Sequence, residues 1–386
     1  MKVGICFGGY CPMHQGHLDA VMRAKKENDC CYVVVCGYND EPRTRQINLP
    51  LKTRFTLVKK LFHDDEQVRV LLVNDSELGI DESMSSNNWS VWTSQIARLM
   101  EQDVKQRGEE SSFFQDSTHY FWYVGEQKYQ DDLQALQKSS LLQNHPKITH
   151  PQTSSIVLMD KVVKISAEEI RENPALHWNK IAWTFRPSLS TNILITGTAS
   201  EGKSTLTRDI ATYFSLPYVE EFARTYMIQN DKADAELMVS DFREFLIEQR
   251  RDLLQKINSR ANNGVVVSDT DNVVTLMYAK SYADDANINM TLDDYESLRS
   301  LAHDLKNEIV WNKIFLLPPK NDYVDDGCRY MNQASMDERN KNFNILIELL
   351  DEFGWRDRVE VLNGGYWENF VHVKTYIEEL YGSKAQ

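Results

Sequence analysis

One eight-residue stretch, read with its flanks, constrains this chain more than any other feature. An apolar run, Asn192–Thr196, leads into Gly197-Thr198-Ala199-Ser200-Glu201-Gly202-Lys203-Ser204, and a helical pattern from Thr205 to Phe214 follows at once. A G-x-x-x-x-G-K-S loop needs a strand to launch it and a helix to receive it, because its backbone N–H groups must converge on phosphate oxygens at a helix N-terminus. In that setting Lys203 reaches the β- and γ-phosphates and the Ser204 hydroxyl ligates Mg²⁺. A glycine-rich turn matching by chance is the bland alternative, and the correct strand and helix on either side count against it.

The same alternation runs through the whole chain. Short apolar runs separated by helical patterns point to parallel α/β layers. Strands are expected over Lys2–Phe7, Cys31–Cys36, Val68–Val73, Tyr120–Val124 and Ser155–Leu158 in the first half. In the second half they are expected over Asn192–Thr196, Gly264–Val267, Lys313–Leu317 and Val359–Leu362. Amphipathic segments such as Leu18–Lys26 and Leu51–Leu61 lie between them. At 386 residues the chain is long for one core. The polar, proline-bearing Arg186-Pro187-Ser188-Leu189-Ser190 precedes the P-loop strand, so two domains are expected, 1–187 and 188–386.

Composition narrows the class. A formal charge of -14 argues against a duplex-binding face, so no DNA binding is expected, but it leaves nucleotides open. No run approaches the ~20 apolar residues of a membrane span, and the apolar start, Met1 to Phe7, is too short for a signal peptide. A cytoplasmic location is the expectation. The six cysteines, at 6, 11, 30, 31, 36 and 328, form no C-x-x-C pair and read as buried reduced thiols.

Acidic partners for a P-loop belong at the ends of neighbouring strands. Val265-Val266-Val267 runs into Ser268-Asp269-Thr270-Asp271, where a carboxylate can hold the metal through water or orient an attacking hydroxyl. Glu220, Glu221 and Arg224 offer two more carboxylates and an arginine, and residues of this kind could instead simply cap the helices that follow. Arg329 and Arg339 suit a lid that closes over a transferring phosphoryl group, or simply a solvated helix face.

The N-terminus carries a second phosphate pattern. After the first strand comes Gly8-Gly9-Tyr10-Cys11-Pro12-Met13-His14-Gln15-Gly16-His17, with both histidines beside a helix start and Gly16 permitting close approach of a nucleotide. Far downstream, Ser166 is a natural N-cap and Arg171 can reach a triphosphate, although Ser166 with Glu169 also reads as a plain capping box. Trp89 and Trp92, in what reads as a polar Ser/Asn-rich loop, suit stacking on a pyridinium ring, with core packing of one of the two as the other reading.

Together these residues resemble a known family. The His14–His17 motif with Ser166 and Arg171 looks like the nucleotidylyltransferase superfamily, narrowed by the tryptophans to nicotinamide-mononucleotide adenylyltransferases. The P-loop with Glu220–Arg224, Ser268–Asp271 and Val324–Gly327 resembles bacterial ribosylnicotinamide kinases. Both in this order are similar to the bifunctional NadR-type proteins of NAD salvage. The resemblance implies an α/β chain with a Rossmann-like nucleotidylyltransferase domain followed by a P-loop NTPase-type kinase domain. It implies Mg²⁺ as cofactor, ATP as co-substrate, and nicotinamide riboside, nicotinamide mononucleotide and NAD as ligands. His14, His17 and Arg171 would stabilise phosphate charge in one domain; Lys203 and Asp269 would carry phosphoryl transfer in the other. The loop Gly197–Ser204 with Thr205 would bind one nucleotide, and Gly8, Gly9, Tyr10, Gly16 and Ser166 another. Trp89, Trp92, Glu220, Arg224 and Asp271 would contact substrate.

Two departures accompany the resemblance. With the first strand at Lys2, the helix-turn-helix of some members is not expected, and Glu168 stands where the family pattern carries threonine. An alternative is therefore a kinase whose N-terminal half acts as a nucleotide sensor. A functional link to a riboside transporter and a homo-oligomer are both compatible with the resemblance.

Overall fold

The structure is a computed structural model describing residues 1–38, 49–79, 86–109, 117–138, 146–160, 164–283, 290–306, 310–324 and 335–382. It divides into two compact units, Met1–Leu189 and Ser190–Gln386.

The first unit is built on a five-stranded parallel sheet in the order β3-β2-β1-β4-β5. Its strands are β1 (Lys2–Gly8), β2 (Cys30–Gly37), β3 (Val68–Asn74), β4 (His119–Val124) and β5 (Ser154–Leu158). β2, Cys-Cys-Tyr-Val-Val-Val-Cys-Gly, is buried along nearly its whole length. A strand covered on both faces has no polar side to alternate with, which is why it reads as a continuous apolar run. The helices are α1 (Gln15–Glu27), α2 (Leu51–Leu61), α3 (Ser86–Arg107), α4 (Gln127–Lys138) and the short α5 (Ala167–Glu172).

The second unit holds another five-stranded parallel sheet, in the order β10-β9-β6-β8-β7. Its strands are β6 (Thr191–Gly197), β7 (Tyr218–Val219), β8 (Val265–Asp269), β9 (Lys313–Leu317) and β10 (Val359–Val361). Around it lie α6 (Lys203–Phe214), α7 (Phe222–Asn230), α8 (Val239–Asn258), α9 (Asn272–Ala283), α10 (Leu292–Lys306), α11 (Met336–Glu352) and α12 (Tyr366–Leu380). Every residue of β6 is buried, since the strand has a neighbour on each edge and helices on both faces.

The α/β class and each expected strand are present, with ends shifted by a residue or two. One strand was not expected: β7, only two residues long, lies inside a stretch otherwise rich in polar side chains. In both sheets the first strand of the unit, β1 or β6, is central, with later strands laid down on either side of it. The crevice beyond the carboxyl end of such a strand is where open α/β sheets take ligands. The five cysteines of the first unit are free thiols, four of them buried, and burial pushes the Cys30 thiol up to about 12. Among the described residues no helix is long and apolar enough to cross a membrane.

Candidate active sites

In the second unit β6 delivers the P-loop. Gly197 has φ +151°, and a Cβ there would lie 2.4 Å from the Leu317 carbonyl oxygen of β9, so only glycine fits. Gly202, the N-cap of α6, has φ +79°, and Ser200 between them has φ +65°. The turn leaves the first N–H groups of α6 pointing into the loop, as anion binding requires. Lys203 is buried, and its Nζ donates to the Thr198 carbonyl at 2.8 Å, lying across the loop. Ser204 and Thr205 occupy the first turn of α6.

Glu201 faces away from this cradle. Its carboxylate is 4% exposed and accepts from the Lys320 N–H at 3.1 Å, the Asn321 N–H at 3.3 Å and the Asn321 side-chain amide at 3.0 Å. Burial lifts its carboxyl above the ordinary range, and the opposing pull of these N–H groups, Arg339 and Lys203 does not cancel that. The Ser200 hydroxyl donates to the Val324 carbonyl at 3.3 Å and accepts from its N–H at 3.0 Å, tying the loop to the same segment.

Arg339 is neither an exposed lid residue nor on a solvated face. It is 2% exposed on α11, its guanidinium 3.0 Å from Glu201 and donating to the Asn321 carbonyl at 2.8 Å. It buttresses the P-loop from behind. Arg329 lies outside the described residues, as do Asp325, Asp326 and Gly327.

The carboxylates sort by environment. Asp269 is the last residue of β8, opposite Ile195 in the register of β6, and the Thr270 N–H donates to the Ile195 carbonyl at 3.0 Å. Its side chain therefore emerges beside the strand that launches the P-loop. Asp271, expected to contact substrate, is instead occupied. It lies 3.4 Å from Arg250 in a pair buried on both sides, accepts from the Trp311 indole N–H at 3.2 Å, and takes the Val273 N–H at the start of α9 at 3.4 Å. Glu220 is exposed and accepts from the Tyr218 hydroxyl, whereas its neighbour Glu221 turns inward; Arg224 is partly buried on α7.

Beside Thr270 opens a recess of about 510 Å³, its mouth included. Phe242, Phe245, Tyr278 and Tyr282 form aromatic walls, and Glu221, Asp234 and Gln249 bring polar groups. Gln249 accepts from the Phe222 N–H at 2.8 Å and donates to the Glu220 carbonyl at 3.2 Å, which fixes the chain after β7. Tyr282 donates to Asp234 at 2.6 Å. Sequence reading missed this constellation. Its signal was the spacing Phe242, Phe245, Gln249, one face of a helix, with a polar residue ending an otherwise apolar stripe.

In the first unit His14 is the N-cap of α1, and the two histidines form a reciprocal cap. The Gly16 N–H donates to His14 Nδ1 at 3.2 Å, and the His14 N–H donates to His17 Nδ1 at 3.3 Å. With both Nδ1 atoms accepting, the neutral rings carry their protons on Nε2, and that tautomer is inferred from the hydrogen bonds. The rings lie 3.8 Å apart. Burial lowers His14 to about 4; burial and then the neighbouring His14 lower His17 to about 3. Two neutral N–H donors thus stand at a helix N-terminus, suited to phosphate oxygens.

Gly8 ends β1, the Gly9 carbonyl accepts from Arg54, and Gly16 lies in the first turn of α1. Tyr10 is buried, edge-on to the His17 ring at 5.1 Å, so it supports that histidine rather than offering an open contact. Ser166 caps α5 in a capping box with Glu169, while Glu168 is exposed. Arg171 donates to the Cys11 carbonyl at 2.7 Å, which brings the downstream motif to the histidine loop.

Trp89 and Trp92 depart from expectation. Both stand on α3 rather than in a loop, each 1% exposed, packed edge-on against Phe7 at 5.8 and 5.1 Å. They are core residues, because helical spacing turns both toward the sheet where the polar sequence around them suggested a loop.

Comparison with known proteins follows this geometry. Residues 192–369 match the model of the AAA domain family. The trifunctional NAD biosynthesis/regulator protein NadR of Escherichia coli (strain K12) is 23% identical over 99% of this chain and 84% of its own length. Its counterpart from Salmonella typhimurium (strain LT2) is 22% identical, covering the whole chain and 84% of the relative. A NadR crystal structure in complex with NAD and AMP-PNP superposes with a TM-score of 0.79 at 28% identity, covering all of this chain and 97% of that one. A NadR structure in complex with NR superposes with a TM-score of 0.80 at 30% identity, again over the whole of this chain and 97% of the other, and on that evidence the chain belongs to the NadR family.

Proposed function

We propose that this protein is a bifunctional enzyme of NAD salvage. The unit Ser190–Gln386 phosphorylates nicotinamide riboside, and the unit Met1–Leu189 transfers an adenylyl group from ATP to the resulting mononucleotide. The observation that carries the reading is the shared carboxyl edge of β6 and β8, with the P-loop, Asp269 and the aromatic recess beside Thr270 all placed there.

In the kinase unit the riboside lies in the recess with its 5′-hydroxyl toward Asp269. The Asp269 carboxylate accepts the hydroxyl proton as that oxygen attacks the γ-phosphorus of ATP, and ADP leaves. Lys203 stabilises the charge on the transferring group. The Ser204 hydroxyl is a hard oxygen donor of the kind Mg²⁺ takes, and it would help to hold an ion bound mostly by nucleotide phosphates. When bound, the ion neutralises charge on the β- and γ-phosphates.

In the adenylyltransferase unit the mononucleotide phosphate attacks the α-phosphorus of a second ATP, giving NAD and pyrophosphate. No covalent enzyme intermediate is needed. His14 and His17 donate their Nε2 protons to phosphate oxygens, and Arg171 adds a fixed positive charge. Catalysis there consists of positioning and electrostatics.

The test is product chromatography with nicotinamide riboside, Mg²⁺ and ATP. Wild type yields NAD, Lys203→Ala yields no mononucleotide, and His17→Ala accumulates mononucleotide. Mononucleotide without NAD from the wild type would overturn the adenylyltransferase half; no product at all would overturn the kinase half, and failure to make NAD from supplied mononucleotide and ATP would overturn the other.

A further inference from the structure

Helix α2 buries one stripe, and an arginine stands in the middle of it. The buried residues are Leu51, Arg54 and Val58, spaced as the core-facing side of a helix. Packing alone would be served there by another apolar residue. Arg54 is 0% exposed, and a guanidinium taken wholly out of water is costly unless its donors are used. Its Nη1 donates to the Gly9 carbonyl, in the loop that joins β1 to the histidine pair.

That loop is held at alternate carbonyls by three different segments. The Gly9 carbonyl accepts from Arg54 of α2, the Cys11 carbonyl from Arg171 of α5 at 2.7 Å, and the Met13 carbonyl from the Ala182 N–H at 3.0 Å. With no exposed surface, Arg54 can act on a ligand only through what it holds. The Gly9–Tyr10 peptide is trans, so its N–H points opposite its carbonyl, and fixing that carbonyl fixes the plane that enters Tyr10. Tyr10 has φ +44°, a left-handed conformation that a tyrosine keeps only where its surroundings hold it. The buried Tyr10 ring lies against the end of β1, where a Cβ on Gly8 would come within 3.3 Å of it. The same ring meets His17 edge-on at 5.1 Å.

We propose that Arg54 is a positioning residue for adenylyl transfer: it fixes the Gly9 peptide, the peptide sets Tyr10, and the Tyr10 ring props His17 at the phosphate site. The inference rests on the adenylyltransferase reading of the first unit. Removing the guanidinium frees the Gly9 carbonyl, lets Tyr10 relax out of its left-handed conformation, and takes the support from behind the His17 ring. The Nε2 proton of His17 then no longer meets the phosphate oxygen where charge develops, although His17 itself is still present.

The experiment follows NAD formation by the full chain from supplied mononucleotide and ATP, with proton NMR of the histidine rings alongside. His17→Gln assigns the His17 signal. In Arg54→Met, kcat for NAD formation falls about tenfold to a hundredfold, while riboside phosphorylation by the same sample is unchanged. The His17 signal moves, and those of His119 and His150 stay in place. Wild-type kcat in Arg54→Met overturns the inference and leaves the adenylyltransferase reading intact. A loss with the His17 signal unmoved overturns the route through His17. A loss with every histidine signal displaced makes Arg54 a residue of the fold alone and overturns the positioning role. Should Arg54→Met not fold, Arg54→Lys decides, since it keeps the buried charge without the planar fork. A reduced kcat with a displaced His17 signal in that variant supports the role, and wild-type values for both overturn it. No NAD from the wild type overturns the adenylyltransferase reading and this inference with it.

Discussion

Glu201 and Arg339 meet 3.0 Å apart, 138 residues separated in sequence, with almost no exposure on either side chain. The pair clamps the back of the P-loop while the front stays free for phosphate. Removing one partner strands a buried charge. Arg339→Met is expected to cost about 3–5 kcal/mol of stability and to raise the KM for ATP roughly tenfold. The double variant Glu201→Gln/Arg339→Met recovers about 1 kcal/mol or more relative to additivity. Urea titration and ATP saturation curves on the four proteins check this.

The two carboxylates at the end of β8, Asp269 and Asp271, predict opposite phenotypes. Asp269→Asn abolishes riboside phosphorylation, with a loss of about a hundredfold or more in kcat, and leaves the urea midpoint nearly unchanged. Asp271→Asn removes the charge that faces buried Arg250 and costs about 3–5 kcal/mol of stability instead. Kinetics and denaturation on both variants tell them apart, and a reversed pattern would exchange their roles.

The histidine pair links the first unit to pH. In the folded chain His14 and His17 titrate at about 4 and about 3, against an ordinary value of 6.5. Between these values the unfolded chain binds protons that the folded chain does not, so acid favours unfolding. The contribution is complete above pH 6.5 and is lost as pH falls toward 4 and then 3. His17→Gln flattens that slope in urea melts taken from pH 7 to pH 4. Triphosphate beside the rings favours their charged form. ATP binding at pH 5 is therefore expected to take up protons, measurable by calorimetry in two buffers of different ionisation enthalpy.

Trp89 tests core against contact. As a buried ring packed on Phe7, Trp92 and Tyr129, its replacement by Ala costs about 3–5 kcal/mol. Trp89→Phe costs less and leaves the KM for mononucleotide within about threefold. A large change in KM with unchanged stability would return Trp89 to the substrate.

Legibility in the sequence followed the range of the physical cause. The P-loop and its strand were readable because glycine, lysine and serine at fixed offsets, with a buried β6, are local requirements. The His14–His17 cap was readable for the same reason. Asp271 and Arg339 were misread because their partners, Arg250 and Glu201, are brought to them only by tertiary packing. Trp89 and Trp92 were misread because composition spoke for a loop where helical periodicity decided burial. The recess escaped because Glu221, Asp234, Gln249 and Tyr282 come from four separate segments and share no spacing.

The buried β6 has a consequence for how the second unit breathes. A strand paired on both edges and covered on both faces opens only with the whole sheet, so the amides of Ile193 to Ile195 should be among the slowest to exchange with deuterium. Two residues later, at Gly197, pairing ends and the loop begins. The phosphate cradle is thus fixed at its root to the least yielding part of its unit, and whatever adjustment a nucleotide demands must be taken up between Thr198 and Gly202.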